Sequence, residues 1–187
     1  MNRILLAFLF LSVSLFVHAD FSYSYFQITQ TSIDYDNLGD VTSIDLEIST
    51  ELNENIILSW GYEDGDFDDI DIDIFLFHLG IGYHVPISGG ADLVSRIEYA
   101  NGDTDGLLNI DIDGYEISVG IRAKLAEKIE VLFGVIHSDW DIEFDGDDES
   151  KSDTDFGANI ALDLTDSLQA VLDVDRDYHS LGLRMHF

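Results

Sequence analysis

Carboxylates are the chief chemical resource of this sequence. Thirty-eight aspartates and glutamates stand against eight lysines and arginines among 187 residues, a formal charge of −30. One cluster has metal-binding spacing. Asn101-Gly102-Asp103-Thr104-Asp105-Gly106 matches the first half of a calcium loop, with oxygen ligands at positions one, three and five and glycine at six. Position twelve is Ile112, where a bidentate glutamate belongs, and no flanking helices are expected. Asp145-Gly146-Asp147-Asp148 and Asp64-Gly65-Asp66 are shorter versions of the pattern. The candidate ligands are therefore Asn101, Asp103, Asp105, Asp145, Asp147 and Asp148. A solvated, self-repelling acidic surface that loosely attracts calcium or magnesium is the simpler expectation, and no tightly bound cofactor is called for.

Other chemistries find less support. So strong a negative charge opposes binding to nucleic-acid phosphates, which needs a basic face. His137-Ser138 and His179-Ser180 are the only adjacent histidine–serine pairs, and neighbours along a strand face opposite sides. Neither pair makes a nucleophile and base without a bulge, so no enzymatic activity is expected. Arg96, Arg122 and Arg184 share one strand parity with Glu47, Glu98 and Glu116, and with Asp45 and Asp163. Charges on an enclosed face must be paired. An arginine–carboxylate network filling an interior is the expectation; a narrow pore whose charges favour cations is the alternative.

The elements that would carry these groups are strands. Ile44, Leu46 and Ile48 alternate with Asp45, Glu47 and Ser49; Tyr115, Ile117, Val119 and Ile121 alternate with Glu116, Ser118, Gly120 and Arg122. Period two gives each segment one apolar and one polar or small face. One proline and twenty-two aromatics suit long paired strands. We read ten, near 21–32, 41–50, 54–63, 70–84, 91–100, 112–124, 128–141, 154–164, 168–175 and 178–187, with eight as the alternative count. In the fourth, the apolar parity changes near 74–77, which predicts a bulge or a locally apolar interior.

The connections between these segments alternate in character. The even ones are short, and the odd ones hold the acid clusters, including Asp64, Asp66, Asp68 and Asp69 in the third and Asp141 to Asp155 in the seventh. Short turns at one end and long loops at the other are the pattern of a membrane barrel with periplasmic turns and external loops. A soluble exported sandwich would share the strand alternation but has no reason to sort its loops. The N-terminus supplies export: Arg3, an apolar run from Ile4 to Val17, and Val17-His18-Ala19 ahead of a cut. The expected organisation is a cleaved signal peptide over 1–19 and a single barrel domain over 20–187. Losing Arg3 takes the formal charge to −31. There is no cysteine, so no disulfide contributes. The fold class expected is all-β, an antiparallel up-and-down transmembrane barrel.

The last residues, Ser180-Leu181-Gly182-Leu183-Arg184-Met185-His186-Phe187, resemble the targeting signal of bacterial outer-membrane barrels. Gly182, Leu183, Met185 and the terminal Phe187 carry the likeness. With the leader and the alternation, the chain resembles the small outer-membrane barrel families typified by OmpX, Ail and OmpA. That resemblance implies insertion by the outer-membrane assembly machinery. The expected setting is the outer membrane of a Gram-negative envelope, as a monomer among its lipids and lipopolysaccharide. The expected role is non-enzymatic, in envelope integrity or surface contact, with a narrow cation-preferring channel as the alternative.

Overall fold

Strands with two unlike faces are stable only when one face is hidden and every edge is paired, and closing the sheet on itself meets both demands. The computed structural model describes residues 21–35, 39–67, 72–106, 110–144, 147–176 and 178–187. The expected leader over 1–19, together with Asp68, Asp69 and Asp145, lies outside them. Ten strands follow in chain order: β1 (Tyr25–Tyr35), β2 (Gly39–Glu51), β3 (Ile56–Phe67), β4 (Ile72–Ser88), β5 (Ala91–Gly106), β6 (Ile110–Ala126), β7 (Ile129–Phe144), β8 (Asp147–Asp163), β9 (Leu168–Val174) and β10 (Tyr178–His186). Each pairs antiparallel with its neighbours, and β1 pairs with β10 from Tyr25 opposite His186 to Ile33 opposite Tyr178. The result is a closed ten-stranded antiparallel barrel.

At one end the connections are brief. In the first, Asn53 Oδ1 accepts from the backbone N–H of Asn55 and Ile56 at 2.9 and 3.0 Å. In the last, Thr165 Oγ1 accepts from Ser167 and Leu168. Such local side-chain acceptors fix tight turns.

The other end departs from expectation. Most of the acidic residues assigned to loops are paired strand. Asp103 lies opposite Asp111, Asp113 opposite Asp141, and Glu143 opposite Asp148. The acidity masked a second alternation in which the polarity of the two faces is reversed. In β6, Tyr115, Ile117, Val119 and Ile121 point outward and are exposed, while Arg122 on the other face is buried. Above Tyr115 the outward residues become Asp113 and Asp111, exposed, and the inner ones Ile112 and Ile110, partly covered. β4 behaves likewise: its register runs unbroken through 74–77, so the change of parity marks an apolar interior, and the one irregularity falls between Pro86 and Ser88. A change of surroundings from lipid to water along the outer wall calls for such a reversal. Aromatic residues line that level on β3 to β6, with Tyr62 opposite Phe77 and Tyr99 opposite Tyr115.

The first strand also differs. It begins at Tyr25 rather than 21, and residues 21–24 belong to no strand.

These boundaries make a prediction. Val119→Arg, on the apolar outward band, should destabilise the barrel by about 2–4 kcal/mol, as a cation does on a lipid-facing midplane. Asp113→Arg, on the same face beyond the aromatic level, should change stability by less than about 0.5 kcal/mol or improve it, since exposed positions tolerate such changes. Reversible urea unfolding in lipid vesicles measures both; equal penalties would overturn the assigned level.

Candidate functional site

The inner face at mid-height holds a continuous polar set, with charges from β2, β4 and β5 and hydroxyls from β1 and β3. Arg96 in β5 pairs with Glu47 in β2 at 2.9 Å and lies 3.6 Å from Glu98 on its own strand. Tyr25 in β1 donates its hydroxyl to Glu47 at 3.2 Å and accepts from Arg96 at 3.3 Å. Glu98 stands 3.2 Å from His78 in β4, whose other ring nitrogen is 3.0 Å from Asp45 in β2. Ser59 in β3 and Thr29 in β1 donate to Glu98 and Asp45, both at 3.4 Å. Each carboxylate of this set thus has a base or hydroxyl beside it, as enclosure requires.

Glycine makes the room for this packing. Gly61 lies directly opposite His78, and a Cβ there would fall 2.2 Å from His78 Cε1. At Gly80 a Cβ would fall 2.3 Å from Ser59 Oγ and 2.9 Å from Glu98 Oε2.

A second group of charges lies toward the short turns. Arg122 contacts Glu130 at 2.6 Å, and Arg184 donates to Gln27 at 2.7 Å with its guanidinium 4.5 Å from the centre of the Tyr25 ring. Asp92 accepts from Tyr23 at 2.9 Å and lies 3.2 Å from His84.

The charged residues expected at this parity do not form one network. Glu47, Arg96 and Glu98 form the mid-height set. Arg122 and Arg184 sit lower with other partners. Glu116 faces inward directly opposite Glu98, a like charge, and has no ion pair among the described residues. Glu130, Asp92, Tyr25 and Gln27 were missed, although all four lie at the same inner parity as the arginines. Parity tells which face a residue is on; which charges meet across the lumen depends on the stagger of the strands.

The calcium-like motif does not curl into a loop. Asn101, Asp103 and Asp105 lie in extended β5, all outward and exposed. Ligands of a calcium loop must converge on one point, whereas alternate residues of a strand stand side by side along it. Among the described residues no group of three or more histidines or carboxylates is placed to hold a metal. The acids instead form rows across strands. One row runs Asp103, Asp111 and Glu143 over β5 to β7; the next runs Asn101, Asp113, Asp141 and Ser150 over β5 to β8. Ser150 donates to Asp141 at 2.5 Å, and Tyr115 donates to Asp139 at 3.3 Å. Below these rows a shallow groove of about 300 Å³ lies between Phe75, Phe77, Tyr62 and the Asp103–Asp111 pair. At the C-terminus, Gly182 faces inward opposite Thr29, while Leu183, Met185 and Phe187 face outward and exposed.

No family model matches the chain and no curated protein resembles it in sequence. Its shape is nonetheless familiar among solved structures. An outer-membrane channel of Pseudomonas putida aligns over 90% of this chain and 96% of its own, at 12% identity and a TM-score of 0.53. The β domain of the Bordetella autotransporter BrkA covers 89% of this chain and all of its own, at 11% identity and 0.52. The translocator domain of the autotransporter NalP from Neisseria meningitidis covers 98% and 95%, at 9% identity and 0.50. The fold is that of the bacterial outer-membrane β-barrels.

The packing around Gly61 gives a test of the mid-height set. Gly61→Ala should destabilise the barrel by about 1–3 kcal/mol, the range for overpacking a filled interior. The added cost should fall by more than half in a His78→Ala background, because the clash is with that ring. A double-mutant cycle by urea unfolding in vesicles checks it; full additivity would contradict the contact.

Proposed function

We propose that the chain is exported, loses residues 1–19 by cleavage after Ala19, and is inserted by the outer-membrane assembly machinery as a monomeric, non-enzymatic barrel. The short turns then face the periplasm and the acidic strand ends face outward. Its work is done at that outer end, in envelope integrity or surface contact. The observation that carries this reading is the reversal of polarity along β4, β6 and β7. Above the aromatic level the carboxylates turn to the outer surface and the apolar side chains turn in. Like charges directly opposite one another on a sheet are destabilising, so the rows oppose stability and point to a role outside the fold.

Rows of paired carboxylates attract divalent cations, and the same ions bridge the phosphates of lipopolysaccharide. Contact with that lipid through shared calcium or magnesium follows from the placement. The attraction is diffuse: calcium should bind at roughly millimolar levels and be weakened several-fold by raising salt from low to physiological strength, as exposed electrostatics are. Asp103→Asn with Asp111→Asn should reduce the heat of calcium titration, which isothermal calorimetry in detergent reads. No heat at millimolar calcium would remove this role.

A second reading is a narrow cation-preferring channel. Its support is the inner face, where Asp45, Glu47, Glu98 and Glu116 surround Arg96 and His78. The strand count favours a closed barrel, since sheets of about eight strands are just filled by their own side chains and ten give only a little more room. Planar-bilayer recording separates the two: silence is expected, and steady cation-selective conductance would establish the channel.

A further inference from the structure

Residues 21–24 continue the inner parity of β1 without joining its ladder. Phe21 and Tyr23 are 8% and 5% exposed, packed with Ile57 of β3 and against Val94 of β5. The guanidinium of Arg122 reaches them from β6, five strands around the barrel from β1 and so on the opposite wall. It lies 4.8 Å from the centre of the Phe21 ring and 4.6 Å from that of Tyr23, and it donates to the Ser22 carbonyl at 3.0 Å. The Tyr23 ring rests 4.1 Å from that of His84. The segment therefore spans the short-turn mouth of the lumen.

Its attachments are few and discrete. Ser49 Oγ donates to the Tyr23 carbonyl at 2.8 Å, and the Glu51 N–H donates to Ser24 Oγ at 3.1 Å. The backbone N–H of Phe187 reaches the Ser24 carbonyl at 3.3 Å. The two charged anchors in the wall each have a second partner that stays behind. Arg122 keeps Glu130 at 2.6 Å, and Asp92 keeps His84 at 3.2 Å. When the segment leaves, neither anchor is stranded as a lone buried charge, which is the outcome that makes breaking such contacts expensive.

We infer that residues 21–24 are a displaceable strap, latched by Arg122, which seals the short-turn mouth of the barrel. The inference rests on the closed-barrel reading and supplies the closure at that end. Strand-bound residues open only with the barrel, whereas a segment held by side-chain contacts and a single backbone bond opens locally, at lower free energy. Opening exposes Ile57, 2% exposed with the strap in place, to the water of that mouth.

The chain has no cysteine, so one introduced at this site reports alone. Ile57→Cys is placed in the full chain, exported, purified and reconstituted in lipid vesicles. The rate of modification by a charged, membrane-impermeant thiol reagent is then measured. Adding Arg122→Met should speed modification on the order of tenfold, and deleting residues 21–23 should speed it further, because the protected state loses its latch or its cover. A boiling-dependent gel shift verifies that each barrel is folded. If the folded deletion variant is modified at the parent's rate, the strap does not seal the mouth. If the deletion speeds modification and folded Arg122→Met does not, Arg122 is no latch; if Arg122→Met fails to fold, the deletion alone decides the seal. Conductance of the parent would end the closed-barrel reading, and the labelling comparison still separates a strap from a fixed wall.

Discussion

In hydrocarbon no water completes an unpaired N–H or C=O, so a sheet that crosses lipid must have no edge. In this chain that condition is met by the ladder between β1 and β10, which joins Tyr25 to His186 and Gln27 to Arg184 across nearly the whole sequence. Every other ladder joins consecutive strands and forms locally. Closure also sets the inside and the outside. Once the seam is made, each strand must give one parity to lipid and the other to a confined lumen, and a slip of one residue would exchange them.

Confinement then dictates the lumen. Carboxylates brought inside need bases and hydroxyls, and the strand stagger brings Glu47, Arg96, Glu98, His78 and Asp45 within reach of one another from β2, β4 and β5. Their bulk is accommodated where the wall has no side chain, as at Gly61 beneath His78. The same economy of space governs the upper wall, where the Trp140 ring lies across Gly114, so close that a Cβ would fall 2.7 Å from the indole. An aromatic covering a strand glycine restores the packing the glycine gives up.

The barrel, its strand count and the inner parity of its charges were legible in the sequence because side-chain alternation is a local, period-two signal. Three features were not. The extension of β3 and of β5 to β8 into the acid clusters was hidden because aspartate is a poor strand former, and residues such as Ile110 and Ile112 that sustain those strands sit on the face opposite to the apolar one below. The partners of Arg122 and Arg184 were hidden because Glu130 is set by the register of the β6–β7 hairpin, with its irregularity near Lys124, and Gln27 by the seam between β1 and β10. The strap was hidden because Phe21 and Tyr23 keep the alternation of β1 while leaving its ladder; the pattern records facing and is silent on pairing. The calcium-like motif misled for the converse reason. Its spacing has meaning only in a curled backbone, and here the backbone is extended.

The acidic rim has a consequence for the membrane as a crowded plane. Two such barrels approaching edge to edge present the same sign of charge at the same height, on paired strands that hold the carboxylates out. At physiological ionic strength the repulsion reaches only about 8 Å, roughly the width of one or two lipids. Beyond that gap the molecules ignore each other; within it, direct contact between rims is opposed while the apolar bands below remain free to share lipid.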